Sequence, residues 1–116
     1  EPVQIAAIEA YRRGEPLLGE ICERYRSRRD RLVTGLRKLG LEAMSPRAAF
    51  YVWTKVPPGE TSASFATRLL ETVYVVVMPG TAFGPQGEGY VRFSLTVPDT
   101  QIDAALSVLP SCLSAR

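Results

Sequence analysis

The segment from Pro16 to Gly40 predicts one long helix, and its length limits how the rest of the chain can fold. Proline is favoured in the first turn of a helix, and glycine is favoured just after the last turn. About 24 residues at 1.5 Å each span roughly 36 Å, which exceeds the sheet of a small domain. We therefore expect one end of the helix to project, or to pack on something outside this chain. The apolar residues recur with the three-and-four spacing of one helical face: Leu17, Leu18, Ile21, Cys22, Tyr25, Leu32, Val33, Leu36 and Leu39.

The rest of the chain alternates between strand and helix patterns. Residues 49–56 and 90–96 alternate in polarity as strands do, and the apolar run 73–78 is typical of a strand buried on both faces. Apolar residues with helical spacing follow Thr61 and predict a short helix there. A second such pattern predicts a last helix, which Pro110 should end or kink. This order predicts an α/β fold: an open sandwich with a mixed or antiparallel sheet and helices on one face. All 116 residues should form a single domain.

Several classes of protein are excluded by composition. The chain has no histidine, which Ser-His-Asp and Cys-His catalytic sets and histidine-ligated zinc all require. Cys22 and Cys112 are too isolated to suggest a disulfide framework or a CxxC metal site. Residues 1–10 lack the pattern of a signal peptide, and no stretch approaches the roughly 20 apolar residues of a membrane span. We expect a cytoplasmic protein with no membrane partner and no metal. The chain starts at Glu1 and not at a methionine, which predicts a processed chain or a piece of a longer one.

A cluster of arginines in the long helix resembles a nucleic-acid patch when it is taken alone. The whole chain is nearly balanced, however, with 14 basic against 12 acidic residues. The arginines also spread around the helix axis, because two residues turn by about 200°. A solvated helix face, with one or two members reaching a partner domain, is the favoured interpretation, and no nucleic-acid partner is expected. The cluster consists of Arg24, Arg26, Arg28, Arg29 and Arg31.

Arg92 is the candidate binding residue. It carries the only charge in the strand 90–96, and alternation turns it away from Val91, Phe93 and Leu95, which should face the helices. On the uncovered face, a guanidinium can bind a carboxylate through two parallel hydrogen bonds, a geometry that lysine cannot copy. The same pattern also fits a solvated or salt-bridged strand arginine.

Other residues give weaker indications of chemistry. The only lysines, Lys38 and Lys55, end a helix and a strand, and neither suits a Schiff-base nucleophile. The carboxylates are scattered singly, so their spacing predicts no acid/base pair. The glycine-rich segment 80–89 matches no phosphate-binding motif. We expect it to be a flexible connection beside a cleft.

Three strings and their spacing resemble a known family: AAFYVW at 48–53, MPGTAFG at 78–84 and GEGYVRFSL at 87–95. Residues 4–10 and 25–40 also match, so the likeness covers nearly the whole chain. The chain resembles the C-terminal small domain of class I/II, fold type I, pyridoxal-phosphate-dependent aminotransferases. Within that family it is most similar to the aspartate and LL-diaminopimelate aminotransferase branches.

The resemblance implies that this chain is one part of a longer enzyme, with substrate binding here and cofactor binding in another domain. Arg92 would bind the α-carboxylate of an amino-acid or 2-oxo-acid substrate. The lysine and the other residues that bind pyridoxal phosphate would belong to a large domain upstream of Glu1. This chain would then hold no catalytic, cofactor-binding or metal-binding residue, and would be inactive alone. The parent would be a homodimer.

The same resemblance divides the chain into three parts. Residues 1–15 would be a linker from the missing large domain, 16–40 the long helix, and 41–116 the α/β sheet region. The alternative from another class of protein is a free-standing α/β module that serves binding or oligomerisation.

Overall fold

The chain opens with a helix where a linker was predicted. The computed structural model describes residues 1–114, which contain four α-helices and a three-stranded sheet. The first helix, α1 (Pro2–Arg13), occupies most of the segment 1–15, so the segment predicted to be a linker is helical. The helix has no internal glycine, and Arg13 forms an ion pair with Glu9 one turn earlier, a spacing that stabilises helices. Gly14 separates α1 from the next helix.

The long helix predicted from the sequence is present as α2 (Glu15–Lys38), with 24 residues. Gly40 follows it with a φ of 82°, and the Leu41 N–H donates to the Leu36 carbonyl at 3.1 Å, which is the glycine-dependent helix ending called a Schellman motif. The buried residues of α2 all lie in its last two turns, and the molecule measures 53 × 29 × 23 Å. The expectation that one end of the helix projects is therefore confirmed.

Three strands form the sheet: β1 (Tyr51–Lys55), β2 (Met78–Pro79) and β3 (Tyr90–Ser94). The strand β3 lies in the centre, and both neighbours pair with it in antiparallel fashion. One face of the sheet packs on the helices, which confirms the predicted α/β class with helices on one face. The core of this packing includes Leu36, Val52, Phe65, Leu69, Val91, Phe93, Leu95 and Leu109.

The apolar run 73–78 is not the buried strand that the sequence predicted. Val73 is instead the last residue of α3 (Ser62–Val73), and Tyr74 ends that helix in the left-handed region with a φ of 57°. Only β2 at the end of the run pairs with β3. Val76 remains 75% exposed. The left-handed Tyr74 takes the start of the run out of extended conformation, so only its end pairs with the sheet.

The last helix, α4 (Asp99–Ser114), continues through Pro110, so the expectation that proline ends it is wrong. Proline removes one helical N–H donor, but Leu109 and Cys112 on either side of it are completely buried. Their packing keeps the helix in place across the missing hydrogen bond. None of the helices within residues 1–114 carries an apolar stretch long enough to cross a bilayer.

Candidate functional site

Arg92 occupies the middle of the central strand. Trp53 of β1 and Met78 of β2 are its partners on the two sides. Its neighbours along β3, Val91 and Phe93, are buried against the helices, whereas Arg92 is half-buried on the opposite face. The alternation of polarity therefore predicted the correct face for Arg92.

Two aromatic rings hold the guanidinium of Arg92. Its central carbon lies 3.8 Å from the centre of the Tyr51 ring and 4.0 Å from the centre of the Phe83 ring. Both rings therefore lie against the guanidinium. We call Tyr51 and Phe83 the aromatic pair. Trp53 supports this pair through an edge contact with Phe83, with ring centres 5.5 Å apart.

The stacked guanidinium has no acidic partner within residues 1–114. The ion pairs of that part of the chain involve other cations, and Arg92 makes no side-chain hydrogen bond there. The N–H donors of a guanidinium lie at the edges of its plane. That arrangement suits a planar acceptor with two oxygens, such as a carboxylate.

The glycine-rich segment 80–89 brings Phe83 to Arg92. It forms two short 3₁₀ turns, Gly80–Phe83 and Pro85–Gly87, where the sequence predicted a flexible connection. Gly80 and Gly87 approach so closely that a Cβ atom on either residue would overlap the carbonyl oxygen of the other. Glycine at both positions therefore allows the segment to fold back on itself.

A carboxylate fastens this segment to the start of α3. Glu88 Oε1 accepts hydrogen bonds from the backbone N–H groups of Ser62 and Gly89, at 2.8 and 2.9 Å. Glu88 Oε2 accepts from the Ser62 hydroxyl at 3.0 Å. The hydrogen bond from the Ser62 N–H is the main reason that the pKa of Glu88 lies below its ordinary value. The carboxylate is thus held in its charged form.

The arginines of α2 are engaged within this chain. Arg28 donates to Asp99 at 2.7 Å and to the Leu95 carbonyl at 3.2 Å, and Arg31 bonds Asp103 at 2.8 Å. Other members of the cluster make ion pairs along the helix itself. Arg28 and Arg31 therefore join α2 to α4 within this chain.

Solved aminotransferases share this fold. The aspartate aminotransferase from Thermus thermophilus with maleate matches with a TM-score of 0.84 at 36% identity, covering 92% of this chain and 28% of that one. The aromatic aminotransferase from Pyrococcus horikoshii matches with a TM-score of 0.83 at 32% identity, covering 87% of this chain and 27% of that one.

The sequence comparison identifies the family. The family described as "Aminotransferase class I and II" matches residues 1–109, and the chain belongs to it. The LL-diaminopimelate aminotransferase of Dehalococcoides mccartyi is 48% identical over 109 residues, which are 94% of this chain and 28% of that protein. That of Oleidesulfovibrio alaskensis is 47% identical over 111 residues, 96% of this chain and 29% of that protein. The chain thus spans less than a third of the relatives it matches.

Residues 1–114 do not form a pyridoxal phosphate site by themselves. The cofactor is held in such enzymes by a lysine Schiff base with a partner for the pyridine nitrogen. Lys55 is half exposed, with Nζ 3.6 Å from the Glu42 carboxylate, and Lys38 is exposed at the end of α2. Neither lysine lies in an enclosed site, so the residues described here do not fit the cofactor.

The sequence pattern indicated Arg92 but not the residues around it. Tyr51 alternates with Trp53 along β1, so the face of the sheet on which it lies could be predicted from the sequence. Its position next to Arg92 depends on the register between β1 and β3. Phe83 and Glu88 are placed by the folding of the 80–89 segment, for which the sequence carries no periodic signal.

Proposed function

We propose that this chain is the substrate-binding small domain of a pyridoxal-phosphate-dependent aminotransferase (EC 2.6.1.-). The reaction is transfer of an amino group between an amino acid and a 2-oxo acid. In this proposal Arg92 binds the α-carboxylate that both substrates carry. The observation that carries it is the stacked guanidinium of Arg92, which has no acidic partner within residues 1–114.

The role of Arg92 is to bind and orient. Its N–H donors form two parallel, charge-assisted hydrogen bonds with a carboxylate, which fix both the position and the rotation of the substrate. The aromatic pair restricts the guanidinium before the substrate arrives, so less freedom is lost on binding. Correct orientation of a reacting group supplies a large part of an enzyme's rate enhancement.

The cofactor belongs to the remainder of a longer protein in this proposal. Pyridoxal phosphate supplies an electron sink for the carbanion chemistry when it is bound. Two observations support a larger parent: the chain spans 28% of a relative with 48% identity, and α1 has no buried residue. Exposed apolar side chains on α1 and the first half of α2 would pack on the rest of the protein and form part of a homodimer: Val3, Ile5, Ile8, Tyr11, Leu17 and Leu18. Both cysteines are free, as expected in the cytoplasm.

The substrate is an amino acid with a free α-carboxylate. The relatives named LL-diaminopimelate aminotransferase support that amino acid as a first candidate, and the fold shared with an aspartate aminotransferase supports aspartate as a second. The α-carboxylate is common to both candidates. Arg92 therefore has the same role for either, and we propose that the choice between their side chains is made elsewhere in the parent.

The test begins with the native gene product. Its intact mass, its pyridoxal phosphate content and its amino-group transfer from LL-diaminopimelate or aspartate to 2-oxoglutarate are measured together. The proposal expects a product several times heavier than this chain that contains the cofactor and transfers amino groups. A product that begins near Glu1, without cofactor or activity, would replace the proposal with the free-standing binding or oligomerisation module.

A further inference from the structure

We propose that Glu88 is a positioning residue for Arg92. It fastens the 80–89 segment to the start of α3, and so keeps Phe83 against the guanidinium. This inference rests on the proposed function of Arg92 as the carboxylate-binding residue.

The contacts of Glu88 join the 80–89 segment to α3. Its carboxylate bonds the backbone N–H and the hydroxyl of Ser62, the first residue of α3. It also bonds the Gly89 N–H, directly before β3. Ser62 is completely buried. The first N–H groups of a helix have no partner within the helix, so Glu88 satisfies a donor that would otherwise lack an acceptor.

The same cluster reaches the other end of the 80–89 segment. The Ser62 hydroxyl lies 3.4 Å from the Thr81 hydroxyl in the first 3₁₀ turn. Phe83 ends that turn, and its ring stacks on Arg92. The Glu88 carboxylate thus bonds Gly89 at one end of the segment directly, and it bonds Ser62, whose hydroxyl contacts Thr81 near the other end.

Loss of the Glu88 carboxylate leaves the buried N–H and hydroxyl of Ser62 without their acceptor, a costly arrangement. The 80–89 segment must then shift to satisfy them. Phe83 moves with it, and the guanidinium of Arg92 loses one of its two stacking partners. We expect weaker substrate binding, because displacement of a binding group by about 1 Å costs up to about 100-fold.

The test uses the parent enzyme with Glu88→Ala and Glu88→Gln. Alanine removes every acceptor, whereas the glutamine oxygen accepts from both N–H groups and its NH₂ can donate to the Ser62 hydroxyl. We expect the KM for both substrates to rise about tenfold or more in E88A with a smaller change in kcat. E88Q should stay within about twofold of the parent, since the hydrogen bonds are kept.

A matched control separates positioning from stability. Glu60 also lies beside the start of α3, but it bonds Arg68 at 2.6 and 3.0 Å and makes no hydrogen bond to the 80–89 segment. Glu60→Ala should lower the melting temperature and leave the KM values unchanged. A KM that rises as much in E60A as in E88A would overturn the positioning role.

A second comparison tests the route through Phe83. If Glu88 acts by holding Phe83, E88A should change the KM much less in a Phe83→Ala background, because the two changes act on one contact. Should E88A fail to fold, E88D serves instead, since its shorter side chain cannot reach both Ser62 and Gly89. An unchanged KM in the folded variant, or full additivity with F83A, overturns the inference.

The outcome for Arg92 distinguishes this inference from the proposed function. A raised KM in Arg92→Ala together with an unchanged KM in E88A would refute the role of Glu88 alone. An unchanged KM in R92A would refute the proposed function, and the role of Glu88 would fall with it.

Discussion

Arg92→Lys tests the geometry of the guanidinium, because lysine keeps the positive charge but lacks the planar group with two parallel N–H donors. A lysine makes one hydrogen bond to a carboxylate where arginine makes two, which costs about 1.5–3 kcal/mol. It also loses the cation–π contacts of the planar guanidinium with Tyr51 and Phe83, whose ring centres lie 3.8 and 4.0 Å away, at a cost of about 0.5–1 kcal/mol. The sum of about 2–4 kcal/mol predicts that kcat/KM falls by about 30- to 1,000-fold.

Steady-state kinetics of the parent enzyme with an amino acid and a 2-oxo acid measure this loss. Arg31→Lys is the matched control, because Arg31 pairs with Asp103 on the helical side of the sheet and should leave kcat/KM unchanged. Both half-reactions should be affected in R92K, since both substrates carry the α-carboxylate. A kcat/KM within about threefold of the parent would refute the reasoning, because one lost charge-assisted hydrogen bond already exceeds that.

Three further predictions concern stability and the shape of the site. The buried hydroxyl of Thr54 has no hydrogen-bond partner within residues 1–114. Thr54→Val keeps the shape of the side chain and removes that hydroxyl, so it should raise the free energy of unfolding by about 1 kcal/mol. A lower denaturant midpoint would contradict this. The hydrogen bond from Arg28 holds the pKa of Asp99 below its ordinary value. The stability that the charged Asp99 contributes is therefore complete above about pH 4 and is lost as the pH falls further. Asp99→Asn should make the free energy of unfolding fall less in acid, and equal pH profiles of the two proteins would count against this. Gly80→Ala places a Cβ atom on the Gly87 carbonyl and should raise the substrate KM about tenfold; an unaltered KM would show that the segment tolerates the shift.

The face on which Arg92 lies was predictable because it depends on local geometry. Successive side chains of a strand point to opposite sides, so the apolar Val91 and Phe93 determine where Arg92 points. The long helix α2 was predictable for a similar reason, since its apolar spacing and Gly40 are local signals. In each case the information lies within a few residues of the feature.

The surroundings of Arg92 were not predictable because they depend on distant pairing. Tyr51 reaches the guanidinium only through the register that places Trp53 opposite Arg92. Phe83 arrives through a segment whose folding depends on the close approach of Gly80 and Gly87. Periodicity describes one element at a time, so it gives neither of these contacts.

The apolar run 73–78 was wrongly predicted to be a buried strand, again because its structure depends on more than its own residues. Its apolar composition fits a buried strand, but α3 extends to Val73 and Tyr74 adopts the left-handed conformation that ends it. The buried Phe65 and Leu69 pack α3 on the core, and the helix continues into the first residue of the run. Strand preference depends on such context, so the composition of the run did not decide its structure.

Equilibrium binding of maleate to the parent enzyme and to Arg92→Ala tests the central claim most directly, because it measures carboxylate binding without catalysis. Maleate is a suitable probe, since it accompanies the Thermus thermophilus aspartate aminotransferase of the same fold. Removal of one partner of a hydrogen-bonded charge pair costs about 2–5 kcal/mol, which predicts a Kd at least about 30-fold weaker in R92A by titration calorimetry. Equal Kd values in the two proteins would contradict the assignment of Arg92 as the carboxylate-binding residue.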